Sequence, residues 1–309
     1  MTYLVLLIGL GMIVLGADWL VDGASAIARK AGVSQFVIGL TIVGFGTSCP
    51  ELVVSVTGAL QGNADIAVGN VVGSNIFNVL FILGLTALVR PVAMSRSNRS
   101  FDIPITLAVT ILMVIFSMGG EISRIEAGIF LLVFALYVYH SFVSDKGKEL
   151  EAEPAGKEQK LFKSIFFVVL GLAGLVFGGD IFVDSATRIA TDLGVSDKFI
   201  AVTVLAGGTS LPELATCIVA AVKGKDDLAL GNILGSNVFN ILFILGCSGM
   251  ILPLSTVSMT TVDLGILVLS VVLLLIWAFT GKKLRLDRWE SIFMLLCFAA
   301  YYVILFNRL

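Results

Sequence analysis

Two glutamates stand where a carboxylate is costly. Glu51 closes the run Gly-Thr-Ser-Cys-Pro-Glu and Glu213 closes Gly-Thr-Ser-Leu-Pro-Glu, each about a dozen residues into an apolar stretch. A charged side chain at a bilayer centre costs roughly 2.5–3.5 kcal/mol on insertion scales, so it persists where a partner or a cargo compensates it. No Lys or Arg stands near either motif in sequence, and a facing pair of carboxylates matches one divalent or two monovalent cations. Pro50 and Pro212 lack an amide hydrogen and break the helix at this depth, freeing the carbonyls of Gly46 and Gly208. Carbonyls of Thr47 and Thr209 can add to the glutamate oxygens, reaching the low end of the six to eight oxygens that calcium takes. Hard oxygen donors without His or Cys argue against zinc or copper.

A second motif supplies neutral oxygens. Gly-Ser-Asn-Ile-Phe-Asn carries Ser74, Asn75 and Asn78, and Gly-Ser-Asn-Val-Phe-Asn carries Ser236, Asn237 and Asn240. One helix face can offer these hydroxyls and amides to a single cavity, or use them as hydrogen bonds between helices. Gly69, Gly73, Gly231 and Gly235 have the i, i+4 spacing of close helix packing. Asp18, Asp22, Asp180 and Asp184 admit three readings: an ion access route, a bond to opened backbone, or a wet span end.

The motifs occur twice because the chain does. Residues 32–84 align without a gap to 194–246 at a constant offset of 162, with 27 of 53 positions identical. Duplicated halves interrupted by polar, broken helices point to the binding site of a membrane transporter.

The elements that must hold these residues are membrane helices. The chain is 58% hydrophobic and 14% charged, with mean hydropathy +1.03. A span needs roughly 20 apolar residues, and ten stretches qualify: 3–28, 37–60, 66–89, 101–119, 124–144, 162–187, 198–222, 228–251, 259–280 and 287–306. The first lacks a basic leader and is read as a span, not a signal peptide. Cys49, Cys217, Cys247 and Cys297 lie in apolar spans and read as small packing residues. The single histidine, His140, cannot form a His-rich metal site, and no basic patch points to nucleic acid.

Charge sets the topology. With the amino terminus outside, the cytoplasmic loops hold 16 of the 20 Lys and Arg residues, leaving Arg124, Arg188, Lys198 and Arg308 outside. The expectation is an all-α polytopic membrane protein of ten helices with both termini out. An offset of five helices is odd, so the second copy enters inverted. Residues 1–144 form the first five-helix repeat, 145–161 a charged cytoplasmic linker, and 162–309 the second repeat.

The doubled pair of motifs resembles the α-1 and α-2 repeats of the sodium/calcium exchanger family within the cation/calcium antiporter superfamily, the motif blocks being 37–84 and 199–246. The resemblance implies a core of the second, third, seventh and eighth spans, across which the long first and sixth spans slide. It implies calcium at Glu51 and Glu213 with backbone oxygens of Thr47 and Thr209, completed by Asn78 and Asn240. It further implies sodium sites built from Ser48, Ser210, Ser74, Ser236 and exposed carbonyls of Gly44 and Ala206. Asn at both 78 and 240, where some relatives carry an acid, speaks against potassium cotransport. The short linker suggests a prokaryotic form without the large regulatory domains of animal exchangers.

The function expected is secondary antiport of Na⁺ against Ca²⁺ in a prokaryotic inner membrane, with no cofactor, no enzymatic activity and no obligatory protein partner. A proton- or potassium-coupled antiporter on the same scaffold is the alternative. A passive channel and an intramembrane hydrolase using Ser48 or Ser210 are more distant rivals, the latter lacking a credible base.

Overall fold

A computed structural model describes residues 2–145, 160–195, 206–280 and 284–308. Its helices are α1 (Thr2–Ala31), α2 (Gln35–Thr47), α3 (Cys49–Leu60), α4 (Ala64–Val89), α5 (Asn98–Ser117), α6 (Arg124–Ser144), α7 (Leu161–Asp192), α8 (Leu211–Val222), α9 (Asp226–Ile251), α10 (Thr261–Thr280) and α11 (Arg288–Arg308). Among the described residues eight of these are long and apolar enough to cross a membrane, or nine if α2 and α3 count as one span bent by 49°. The seventh expected span, 198–222, lies partly outside the described residues; 206–222, which includes α8, is its described portion.

The expectation of an all-helical protein holds apart from two short ladders. Val92–Ala93 (β1) pairs antiparallel with Arg285–Leu286 (β4), and Glu121–Ile122 (β2) pairs with Leu254–Ser255 (β3). Each ladder ties a loop of one half to a loop of the other. Neighbouring helices begin on capping boxes. The Ser123 and Thr260 amides and hydroxyls donate to Glu126 and Asp263, and the Asp287 amide donates to Glu290 at 2.6 Å. These acids therefore have structural work at helix starts, and Asp263 also accepts from Tyr301 at 3.1 Å.

α1 and α7 have 30 and 32 residues, about 45 Å at 1.5 Å per residue. That exceeds a hydrocarbon core of ~30 Å, a length that tilt or ends projecting beyond the hydrocarbon accommodates. They lie together along their length because glycines remove the side chains between them. A methyl on Gly16 would sit 2.8 Å from the Gly171 carbonyl, and one on Gly171 would sit 2.7 Å from that of Gly16.

α9 is the most enclosed helix, buried along 94% of its most apolar stretch. Gly231 and Gly235 let it press onto α2, where a methyl on Gly235 would meet the Leu40 Cα at 2.5 Å. This is the packing role expected of them. Gly69 and Gly73 differ: among the described residues, a methyl on Gly69 would meet Met259 at 3.7 Å and one on Gly73 nothing within 4 Å. The segment that the repeat sets opposite these two falls at 198–205, outside the described residues.

Candidate ion-binding site

The bend between α2 and α3 turns on Ser48, at φ −85°, ψ 9°. Its repeat counterpart Ser210 has φ −92°, ψ 8°. Both sit in the sparsely populated bridge region. Pro50 and Pro212 occupy the first turn of α3 and α8, where a missing amide hydrogen costs nothing. The motif thus ends one helix and starts another, and each glutamate rides in the first turn of the new one.

The two motifs interlock crosswise. Ser48 donates to Glu213 Oε1 at 2.8 Å, and Ser210 donates to Glu51 Oε1 at 3.1 Å. Thr209 also lies within interaction range of Glu51, and Thr47 and Ser236 of Glu213. Both carboxylates are 1% exposed. The second oxygens, Glu51 Oε2 and Glu213 Oε2, are buried and have no donor; so are Asn78 Oδ1 and Asn240 Oδ1. Buried oxygens without donors are expensive. These four atoms come from matched positions in the two halves, one carboxylate and one amide oxygen from each.

The asparagines also cross over. Asn78 Nδ2 donates to Asn237 Oδ1 at 3.0 Å, and Asn240 Nδ2 donates to Asn75 Oδ1 at 3.0 Å. Asn75 Nδ2 donates to the Asn237 carbonyl at 3.1 Å. Asn78 opens a π-helical stretch of α4 with Phe77, and Asn240 opens one in α9. Such stretches recur at functional sites because they re-aim side chains.

Two residues outside the expected set brace the motifs. Asn232 accepts from Thr47 Oγ1 at 3.2 Å and donates to Cys217 Sγ at 3.2 Å. Its counterpart Asn70 donates to the Glu51 carbonyl at 3.1 Å and to Ser55 at 3.0 Å. The signal was present, since Asn is retained at 70 and 232 beside Gly69 and Gly231.

One expectation needs correction. The Gly44 carbonyl is not exposed: it accepts from the Ser48 amide at 3.2 Å and from Ser236 Oγ at 3.3 Å. Proline removes only its own amide and so can free only Gly46. Ser48 keeps its N–H and closes the bond to Gly44. Ser74 is buried on α4, and Ala206 opens the turn Ala206–Gly208 ahead of Thr209.

The remaining polar groups sort apart from this centre. Lys223 bridges Asp18 at 2.7 Å and Asp22 at 2.8 Å, while Asp180 and Asp184 are exposed on α7. His140 stacks on Phe101 at 4.4 Å, and all four cysteines are free. Among the described residues no group of three or more His, Cys, Asp or Glu side chains gathers as a metal cluster. The centre is two acids set among neutral oxygens.

A family model described as sodium/calcium exchanger protein matches residues 1–143 and 163–307. The chain belongs to the sodium/calcium exchanger family. Within it, the chain is 36% identical to the sodium/calcium exchanger MaX1 of Methanosarcina acetivorans over 98% of both chains. It is 37% identical to the inner membrane protein YrbG of Escherichia coli, over 80% of this chain and 79% of that one. The fold superposes on the solved sodium-calcium exchanger NCX_Mj, soaked with Na⁺ and Ca²⁺, at TM-score 0.84 and 31% identity over 98% of this chain and 96% of that one. This exchanger is a multi-pass membrane protein of the class that transports cations, calcium among them, by antiport.

Proposed function

We propose that the chain exchanges Na⁺ for Ca²⁺ by alternating access, through a shared site centred on Glu51 and Glu213. The observation that carries this is the set of four buried oxygens without donors, one carboxylate and one amide oxygen from each half. Backbone oxygens of Thr47 and Thr209 bring the set to six, the lower bound for calcium. Sodium takes the flanking positions near Ser48, Ser210, Ser74 and Ser236. The Gly44 and Ala206 carbonyls join them there, Gly44 through whatever its existing bonds leave.

Electrostatics supplies the coupling. Two desolvated carboxylates resist crossing the membrane uncompensated, whereas one Ca²⁺ or two Na⁺ neutralise them. Both loads need the same oxygens, so they compete, and only a loaded carrier changes sides cheaply. Neutral Asn at both 78 and 240 keeps the centre at two acids, which favours sodium over potassium coupling.

The architecture proposed is ten spans in two inverted repeats, 1–144 and 162–309, joined by the cytoplasmic linker 145–161, with both termini outside. Sidedness supports it. Contacts between distant loops join segments assigned to one face: Val92 with Leu286 and Ala93 with Asp226 inside, Ile122 with Leu254 and Arg124 with Ile251 outside. The Lys and Arg bias and the name of YrbG support a prokaryotic inner membrane.

The test is tracer calcium uptake into proteoliposomes under an outward sodium, proton or potassium gradient. Uptake driven by sodium alone is expected. Uptake driven by protons or potassium with no response to sodium overturns the sodium assignment, and calcium leak without counter-ion overturns antiport.

A further inference from the structure

We propose that Asn75 and Asn237 are positioning residues that orient the amides of Asn240 and Asn78, each across the boundary between the halves, so that oxygen and not nitrogen faces the cation. The inference rests on the central site proposed above and assigns what fixes its polarity.

The argument starts from a group that cannot be turned round. A backbone carbonyl only accepts, so Asn75 must present Nδ2 to the Asn237 carbonyl, 3.1 Å away. That choice points Asn75 Oδ1 at residue 240. Facing an acceptor, Asn240 must present its Nδ2, at 3.0 Å. Its own Oδ1 is thereby directed the other way, and it is one of the buried oxygens without a donor. Asn78 makes the matching bond to Asn237 Oδ1 at 3.0 Å, and its Oδ1 is likewise left free. All four side chains are 1% exposed, which shields the pairing from bulk water. Released from its clasp, an amide can turn either way, and half of its orientations offer a cation two N–H donors.

The clasp also limits what residue 240 can be. A carboxylate there would set two acceptors 3.0 Å apart. Relief takes either a proton kept on the acid, which then donates to Asn75 Oδ1, or rotation of the Asn75 amide at the cost of its bond to the Asn237 carbonyl. The clasp thus favours a neutral, donating group at 240, which leaves the charge of the centre on Glu51 and Glu213.

A double-mutant cycle on the apparent KM for calcium in sodium-driven uptake separates this from simple packing. Asn75→Ala, Asn78→Ala and Asn240→Ala are each expected to raise KM about tenfold, the scale of one lost polar contact. Asn75→Ala combined with Asn240→Ala should be no worse than the worse single variant, because an absent amide needs no orienting. Asn75→Ala combined with Asn78→Ala should multiply to about a hundredfold, although those two are neighbours on one helix. Asn237→Ala supplies the mirror arm, pairing with Asn78→Ala and not with Asn240→Ala, and stands in if the first variant fails to fold.

Multiplication across 75 and 240, or a Tm loss with KM unchanged in Asn75→Ala, overturns the clasp and leaves the site intact. Unchanged KM in both Asn78→Ala and Asn240→Ala instead removes the amides from the site itself.

Discussion

Ser48 and Glu213 lie 165 residues apart in sequence and 2.8 Å apart in space. The hydroxyl that ends α2 in one half thus holds the carboxylate that begins α8 in the other. Ser210 and Glu51 repeat the bond with the halves exchanged, at 3.1 Å. Each glutamate thus takes a hydroxyl donor from the opposite motif.

This reciprocity predicts matched defects. Ser48→Ala and Ser210→Ala each leave one buried carboxylate oxygen without its donor, a loss of about 1–3 kcal/mol. Both variants are expected to weaken calcium and sodium competition by roughly five- to a hundredfold in apparent affinity. Flux competition assays on the two variants, read side by side, check the size and the symmetry of the effect.

The braces make a separate prediction. Asn232→Leu removes the acceptor for Thr47 Oγ1 and the donor to Cys217 from a fully buried position. Thr47 Oγ1 keeps its bond to the Val43 carbonyl at 3.1 Å, so a stability loss of about 1 kcal/mol is expected, from the lost bonds of the amide and a reshaped contact. Asn70→Leu acts on the Glu51 carbonyl instead. Thermal unfolding in detergent, with and without calcium, measures both.

The contact between α9 and α2 gives a third. A methyl on Gly235 meets the Leu40 backbone at 2.5 Å, so Gly235→Ala must push the helices apart at a cost of about 1–3 kcal/mol. Gly265→Ala, on an exposed position of α10 with nothing described within 4 Å, should be milder. The difference in Tm between the two variants is the readout.

The pairing of Lys223 with Asp18 and Asp22 makes a pH prediction. Partial burial works against its ammonium, but bonds to the two carboxylates outweigh this and leave its pKa raised. A raised pKa stabilises the fold while the lysine is charged, and the contribution is lost as pH climbs through the folded-state value. The pair is half exposed and worth at most about 1 kcal/mol. The Tm gap between wild type and Lys223→Gln is therefore expected to be small at neutral pH and to close above about pH 10. Unfolding curves across pH 7–11 test it.

The parts legible in sequence were those where chemistry conflicts with its surroundings. Glu51 and Glu213 stood out because an acid in an apolar run needs compensation, and the duplicated motifs paired them before any coordinates. The helices followed from hydropathy, since lipid forces each span to satisfy its own backbone. What was not legible depends on which half meets which. The serines cross over, and the asparagines bond between helices and not along one; no local pattern encodes that choice. The engaged carbonyl of Gly44 follows from Ser48 keeping its amide, a detail that the nearby proline obscured. The union of Lys223 with Asp18 joins positions 205 residues apart, so a periodic reading of either helix leaves it unseen.

The central claim is that one acid from each half holds the same cargo. Its most direct test is initial-rate tracer calcium uptake into sodium-loaded proteoliposomes carrying wild type, Glu51→Gln or Glu213→Gln at equal reconstitution. Uptake at the protein-free background for each single variant is the result predicted. Near wild-type uptake by both variants would contradict the shared site.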